Sequence, residues 1–195
     1  MFITFEGGEA TGKTTQIHLL KKYLEEKGKS VVLTREPGGD ENCERIRSLL
    51  LEHTWEPITE AFLFNASRYE HCKKVIEPAL NEGKIVLCDR FMDSTMVYQG
   101  YGLGLSLEFL KTLQHYAVTR VPDLTFIFDL DPLIARARLA LRSHNNHIDD
   151  RDLNFHEKVR AGFLTIAKNA PKRCVVVDAS MEEKKIQETL KTYFF

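Results

Sequence analysis

Hydrophobic and polar positions follow two regimes along this chain. Short, β-branched and nearly continuous apolar runs, such as Ile85-Val86-Leu87-Cys88 and Val175-Val176-Val177, are separated by longer stretches with apolar residues at helical spacing. Continuous apolar runs are strands covered on both faces, and their alternation with helical stretches marks a parallel sheet with crossover helices. The pattern predicts five strands, over 2–6, 30–34, 85–89, 124–129 and 173–178. Helices are expected over 13–27, 41–51, 59–80, 107–119, 132–142, 153–167 and 181–193. Two helix starts carry their own punctuation: Asp131 stands as a cap before Pro132, and Ser180 with Glu183 spells a capping box. The stretch 143–150 has no apolar period and reads as a polar loop.

Composition narrows the class. A chain of 195 residues without repeats, low-complexity tracts or linkers is expected to form one domain over 1–195. Its 27 basic and 28 acidic side chains leave a net charge of -1, so no global field draws it to nucleic acid or to an anionic membrane. A polyanion site must therefore be local. No apolar run reaches the roughly 18 residues that a membrane span needs, and the first residues lack the basic and apolar regions of a signal peptide. The expected location is the cytoplasm. Cys43, Cys72, Cys88 and Cys174 are far apart with no CxxC pair, which argues against zinc or a disulfide framework. Cys88 and Cys174 lie in apolar runs and read as small buried hydrophobes.

The first strand runs into Gly7-Gly8-Glu9-Ala10-Thr11-Gly12-Lys13-Thr14, a full GxxxxGK[ST] match in a strand-loop-helix setting. Glycines at both ends let successive N–H groups turn toward phosphate oxygens, and the next helix adds its positive end. Lys13 is suited to the β and γ phosphates of a nucleoside triphosphate, and the Thr14 hydroxyl to its Mg²⁺. The strand before and the amphipathic helix after argue against a mere glycine-rich turn with a solvated lysine. No [NT]KxD base reader occurs, so a GTPase switch is not indicated. In an α/β phosphotransferase the polar loop after residue 142 would be a lid.

The third predicted strand ends in Asp89-Arg90, at the sheet edge where ligands of open α/β sheets bind. Asp89 suits Mg²⁺ or its water and Arg90 a second phosphate; a structural ion pair is the alternative. Arg35, in the turn Thr34-Arg35-Glu36-Pro37-Gly38-Gly39, can grip a phosphate with its fork. Phe64 and Arg68 are one helical turn apart, offering a ring to stack on a base and a donor for its carbonyl. The alternative is a core phenylalanine beside a solvated arginine. His144 and His147, near Asp149 and Asp150, lack the tighter support of a zinc site and read as a solvated loop. Asp129 and Asp131 offer a second Mg²⁺ acid, although a helix cap is the more economical role for Asp131.

Taken together, Phe2 to Gln16, Thr34 to Gly39, Asp89-Arg90-Phe91 with Ser94-Thr95 and Tyr98-Gln99-Gly100, Val159 to Phe163 and Asp178-Ala179-Ser180 resemble the thymidylate kinase family. The resemblance covers nearly the whole chain. It implies an α/β P-loop nucleoside monophosphate kinase fold, a five-stranded parallel sheet flanked by helices with a short lid over about 142–151. It also implies transfer of the γ-phosphoryl group of ATP to dTMP, giving dTDP and ADP, with Mg²⁺ and in a homodimer. Carried over residue by residue, Gly7, Gly8, Glu9, Ala10, Thr11, Gly12, Lys13, Thr14, Thr15 and Arg138 would bind ATP. Glu9 would also meet the sugar 3′-hydroxyl of dTMP, Arg35 and Arg90 its phosphate, and Phe64 and Arg68 its base. Ser94 and Thr95 fall near the base edge, and Tyr98 at the aromatic that crowds the sugar and rejects a 2′-hydroxyl. Thr14 and Asp89 would hold the metal.

Ala10 stands where some members carry an arginine, so the chain resembles the branch that supplies this charge from the lid. Extending that branch's lid pattern without a gap from Arg138 keeps Arg142 and leaves Ala140 and His147 where arginines are common. Arg142 then joins Lys13, Asp89 and Arg90 as a catalytic residue, with Arg138 and Arg151 as substitutes. Two rivals differ in class: a deoxynucleoside kinase, against which Arg35 and Arg90 both argue, and a non-catalytic nucleotide-binding regulator.

Overall fold

The computed structural model describes residues 1–141 and 151–194. Five strands, β1 (Phe2–Gly7), β2 (Val31–Arg35), β3 (Ile85–Asp89), β4 (Leu124–Asp129) and β5 (Cys174–Asp178), pair in the order β2-β3-β1-β4-β5, and every pairing is parallel. The helices among the described residues are α1 (Lys13–Glu26), α2 (Glu41–Glu52), α3 (Pro57–His71), α4 (Glu77–Asn81), α5 (Met92–Thr95), α6 (Leu107–Ala117), α7 (Pro132–Leu139), α8 (Leu153–Asn169) and α9 (Glu183–Lys191). Two π-helical segments, Cys72–Ile76 and Met96–Gly102, continue α3 and α5.

Both sheet faces are covered, as the unbroken apolar strands require. On one face Ile3, Phe5, Leu87, Phe126 and Phe128 pack with Ile17, Leu20 and Leu24 of α1 and Ile186 and Leu190 of α9. On the other, Ile127 and Cys174 meet Val159 and Phe163 of α8, while Phe2, Val86 and Cys88 meet Cys72, Ile76 and Phe91. Each such large side chain taken out of water contributes about 1.5–3 kcal/mol. All four cysteines are free and buried.

Four departures from the sequence pattern stand out. The expected helix over 59–80 starts at Pro57, which suits the first turn because it lacks an N–H. That helix is also broken in register by the π segment before Glu77–Asn81, where Pro78 cannot donate to the preceding turn. The Ser180 capping box does not form. The Asp178 carboxylate takes both the backbone N–H (2.9 Å) and the hydroxyl (2.6 Å) of Ser180, and α9 begins only after Glu182, without a side-chain cap. Asp131 does cap α7, accepting from the Leu133 N–H at 2.8 Å.

The third departure is an unforeseen helix over 92–102, whose residues are buried too evenly to show a polar face. It presses on α8 through glycines on both sides. A Cβ on Gly102 would lie 2.6 Å from the Phe155 ring, and one on Gly162 2.9 Å from the Tyr101 ring. The helix expected over 132–142 ends at Leu139. The stretch 142–150, with the expected lid, Arg142, His144 and His147, lies outside the described residues.

Candidate active site

Three strand ends, those of β1, β2 and β3, bring the chemistry to one edge of the sheet. After β1 the chain turns through Gly7, where φ is +135° and a Cβ would sit 2.5 Å from the Phe128 carbonyl oxygen, so only glycine fits. Gly12, at φ +86°, then sets the N-terminus of α1, whose first N–H groups have no capping side chain and face the loop hollow. Glu9 to Thr15, Asp89 and Arg90 line this hollow, of about 140 Å³. The buried Lys13 ammonium donates to the carbonyls of Gly7 (3.1 Å) and Gly8 (2.7 Å) and to Thr11 Oγ1 (3.2 Å). Burial, with Arg90 nearby, pushes its pKa down to about 8, against the pull of Asp89, Glu9 and Glu6.

At the mouth of the hollow Thr14 Oγ1 donates to Asp89 Oδ2 at 2.9 Å. No group of three or more His, Cys, Asp or Glu side chains gathers among the described residues. The donor set is therefore one hydroxyl and one carboxylate, hard oxygens that suit Mg²⁺ when substrate phosphates and water supply the rest. Asp129 is taken by Arg160, at 2.6 and 2.9 Å, and does not join them.

A second cleft, of about 150 Å³, opens beside the first and shares Glu9 and Arg90 with it. Arg90 sits at φ +66°, a left-handed conformation that costs an ordinary residue about 1 kcal/mol or more. The conformation is held from both sides: the Arg90 N–H donates to the Phe5 carbonyl at 2.9 Å, and the Phe91 N–H to Glu6 Oε1 at 2.8 Å. Its guanidinium then donates to the Gly7 carbonyl (2.9 Å) and to Glu9 Oε1 (2.6 Å), and lies 5.1 Å from the centre of the Tyr98 ring. Arg90 thus pairs with Glu9, not with its neighbour Asp89. Burial works to raise the Glu9 pKa, but Arg90 and Lys13 outweigh it and hold the carboxylate below its ordinary value. Tyr98 donates to the same Glu9 oxygen at 2.9 Å, and its own pKa is raised, by burial first.

The other wall of the second cleft belongs to α3. Phe64 lines it half-buried, and Arg68 lines it at 1% exposure, so Arg68 is not a solvated residue. Its guanidinium donates to Glu36 Oε2 (2.7 Å), Thr95 Oγ1 (3.0 Å), the Phe91 carbonyl (3.0 Å) and Asn65 Oδ1 (3.4 Å). Glu36 also meets His71 Nδ1 at 2.9 Å, and His71 Nε2 meets Thr34 Oγ1 at 2.6 Å, so the turn after β2 is bolted to α3 through buried groups. Ser94 lines the cleft and donates its hydroxyl to Glu6 Oε2 at 2.6 Å. Burial, with Asp93 near, raises the Glu6 pKa to about 7.

Arg35 is the exposed member of the set, with Nη2 3.0 Å from both carboxylate oxygens of Glu44. Arg138 donates at 3.3 Å to the carbonyls of Ala10 and of Ala179, tying the loop hollow to the turn after β5. Arg151 lies over the Phe155 ring at 4.8 Å and lines a larger cavity of about 450 Å³ between the loop, α7 and α8. Arg142 lies outside the described residues.

Among the polar cleft residues, Arg47 and Glu60 had no signal in the sequence, while Glu36 and Gln99 stood inside quoted motifs without a role of their own. Arg47 is held by the Pro37 carbonyl at 2.8 Å, and its pKa is lowered by burial and by Arg35. Only the helical spacing of Glu60 to Phe64 and Arg68 pointed toward this wall.

A phosphate-binding loop on a five-stranded, all-parallel sheet, with a second cleft sharing its wall, is the architecture of the P-loop nucleoside monophosphate kinases. The family model for thymidylate kinase matches residues 5–190. A thymidylate kinase of Exiguobacterium sp. is 45% identical over 99% of this chain and 93% of its own length. One from the Wolbachia of Brugia malayi is 46% identical over 91% of this chain and 86% of its own length. The crystal structure of thymidylate kinase from Ehrlichia chaffeensis superposes with a TM-score of 0.82 at 39% identity, over 100% of this chain and 98% of that one. The chain belongs to the thymidylate kinase family.

Proposed function

We propose that this protein transfers the γ-phosphoryl group of ATP to dTMP, forming dTDP and ADP. One observation carries the reading: the loop hollow and the base cleft share Glu9 and Arg90, so two phosphate-bearing ligands meet across a single guanidinium. The loop N–H groups, Lys13 and Thr14 hold the triphosphate, and Arg90 holds the acceptor phosphate, joined by Arg35 from outside both clefts, where it is paired with Glu44. Phe64 stacks on the base, Arg68 donates to its carbonyl, and Ser94 and Thr95 border its edge. Glu9 takes the 3′-hydroxyl, and Tyr98, fixed to Glu9, fills the space a 2′-hydroxyl would need. Catalysis of this kind is positioning and charge neutralisation more than covalent work. Thr14 and Asp89 would hold Mg²⁺, which when bound neutralises charge on the phosphates.

With Ala10 in the loop, Lys13 is the one basic side chain there, so further charge for the transferred group must come from elsewhere. We assign it to Arg142, with the stretch 142–151 as a lid, on the resemblance to the lid-arginine branch. Arg138, held between the loop and Ala179, borders the adenine side. Residues 1–195 act as one domain, and we infer a homodimer. Its support is an apolar stripe on α3, with Ile58 52%, Phe62 52% and Tyr69 46% exposed. No helix among the described residues is long and apolar enough to cross a membrane, and four free cysteines suit a reducing cytoplasm.

Turnover of ATP with dTMP, thymidine, dUMP, AMP or no acceptor tests the reading. The expected result is ADP formation with dTMP far above all others. Preference for thymidine would make the protein a deoxynucleoside kinase, and no acceptor-dependent turnover would make it a regulator.

A further inference from the structure

The base cleft contains a buried pair that the reaction so far leaves unused. Glu60, at 4% exposure, stands one helical turn before Phe64 and two before Arg68, so all three share one stripe of α3 and line the cleft. Facing it from the π-helical segment, Gln99, at 3% exposure, donates its Nε2 to Glu60 Oε2 at 2.9 Å. A carboxamide has one donor end and one acceptor end, and a carboxylate only accepts. With Nε2 committed to Glu60, Gln99 Oε1 has no hydrogen-bond partner among the described residues and is not sealed from the cleft. Arg68, with four of its five N–H groups engaged, keeps one on Nη2.

We propose that Glu60 is a positioning residue for base specificity, holding the Gln99 carboxamide with its oxygen toward the base. The cleft then presents a donor from Arg68 beside an acceptor from Gln99. That order matches the O4 acceptor and N3–H donor of thymine. It opposes cytosine, whose C4 amino group donates and whose N3 accepts. An amide can turn over with almost no steric cost, so the discrimination depends on what holds it. This inference rests on the dTMP reading above and names what selects its base.

The test compares kcat/KM for dTMP and dCMP at saturating ATP, with thermal denaturation alongside. In Glu60→Gln the partner of Gln99 can accept or donate, both amide orientations become available, and the dTMP-to-dCMP ratio should fall about 10- to 100-fold. The KM for ATP should stay unchanged. Adding Gln99→Glu to Glu60→Gln exchanges the two groups: the amide now donates from position 60, and a carboxylate oxygen faces the base. This exchanged protein should regain the wild-type preference. An unchanged ratio in a folded Glu60→Gln protein overturns the proposal. If that single variant does not fold, the exchanged protein decides: retained preference supports the proposal, and lost preference overturns it. A wild-type protein that does not turn over dTMP overturns instead the reading beneath it.

Discussion

The two halves of the site are built by opposite means. The loop hollow comes from one contiguous stretch, Gly7 to Thr15, and its chemistry is mostly backbone: turned N–H groups, a helix start and one lysine. The second cleft, to which we assign the base, draws side chains from the loop, the β2 turn, α2, α3 and the helix after β3. Most of its polar groups are held by a partner from another element, as Arg68 is by Glu36, Thr95 and the Phe91 carbonyl. An anion tolerates some freedom in its donors because charge attraction is long-ranged. A base edge demands fixed donors and acceptors, and fixing them takes buried partners.

The strongest way to break the loop half is Lys13→Ala. Phosphoryl transfer should fall by at least about 10³-fold with the thermal midpoint retained, because the side chain serves the hollow and not the core. Unchanged turnover removes the loop from the mechanism. Arg142→Ala should lower kcat by about 10³-fold with only a modest rise in either KM, as a charge that acts in the transition state requires. Collapse on Arg138→Ala or Arg151→Ala, with Arg142→Ala near normal, would move the catalytic arginine.

Arg90→Ala tests the shared wall. Losing a charge-assisted contact should weaken dTMP binding about 10- to 100-fold and ATP binding far less, read by calorimetry. Equal losses would make Arg90 a structural partner of Glu9 alone. The smallest effect concerns Glu6, whose pKa is raised from 4.5 to about 7, chiefly by burial. Between those values the folded chain keeps a proton that the unfolded chain has released. This group's contribution to stability is therefore full below pH 4.5 and declines as pH rises through about 7. Urea midpoints of the wild type should fall over that window relative to Glu6→Gln. Parallel profiles would place the titration elsewhere.

Much of this was legible in the residues. Strand positions 85–89 and 124–129 were readable to the residue, because continuous β-branched runs between turn signals have few other fates. The loop hollow was legible for the same local reason. The helix over 92–102 was not, since burial on every side erases the polar face that marks a surface helix. The Ser180 cap went the other way: the motif was present, but the Asp178 carboxylate competed for the same groups.

Sequence alone therefore determined the class of fold and the phosphate-binding loop, because both follow from short-range rules: period, glycine placement and the start of a helix. Only the tertiary structure decided that Arg90 pairs with Glu9 and not with Asp89, that Arg68 is buried beneath the base cleft and not solvated, and that Gln99 meets Glu60. Those pairs join residues 81, 32 and 39 positions apart. No local pattern encodes such a meeting. It exists because parallel strands deliver distant loops to one edge of the sheet, where buried charges and amides must find partners or stay unpaired.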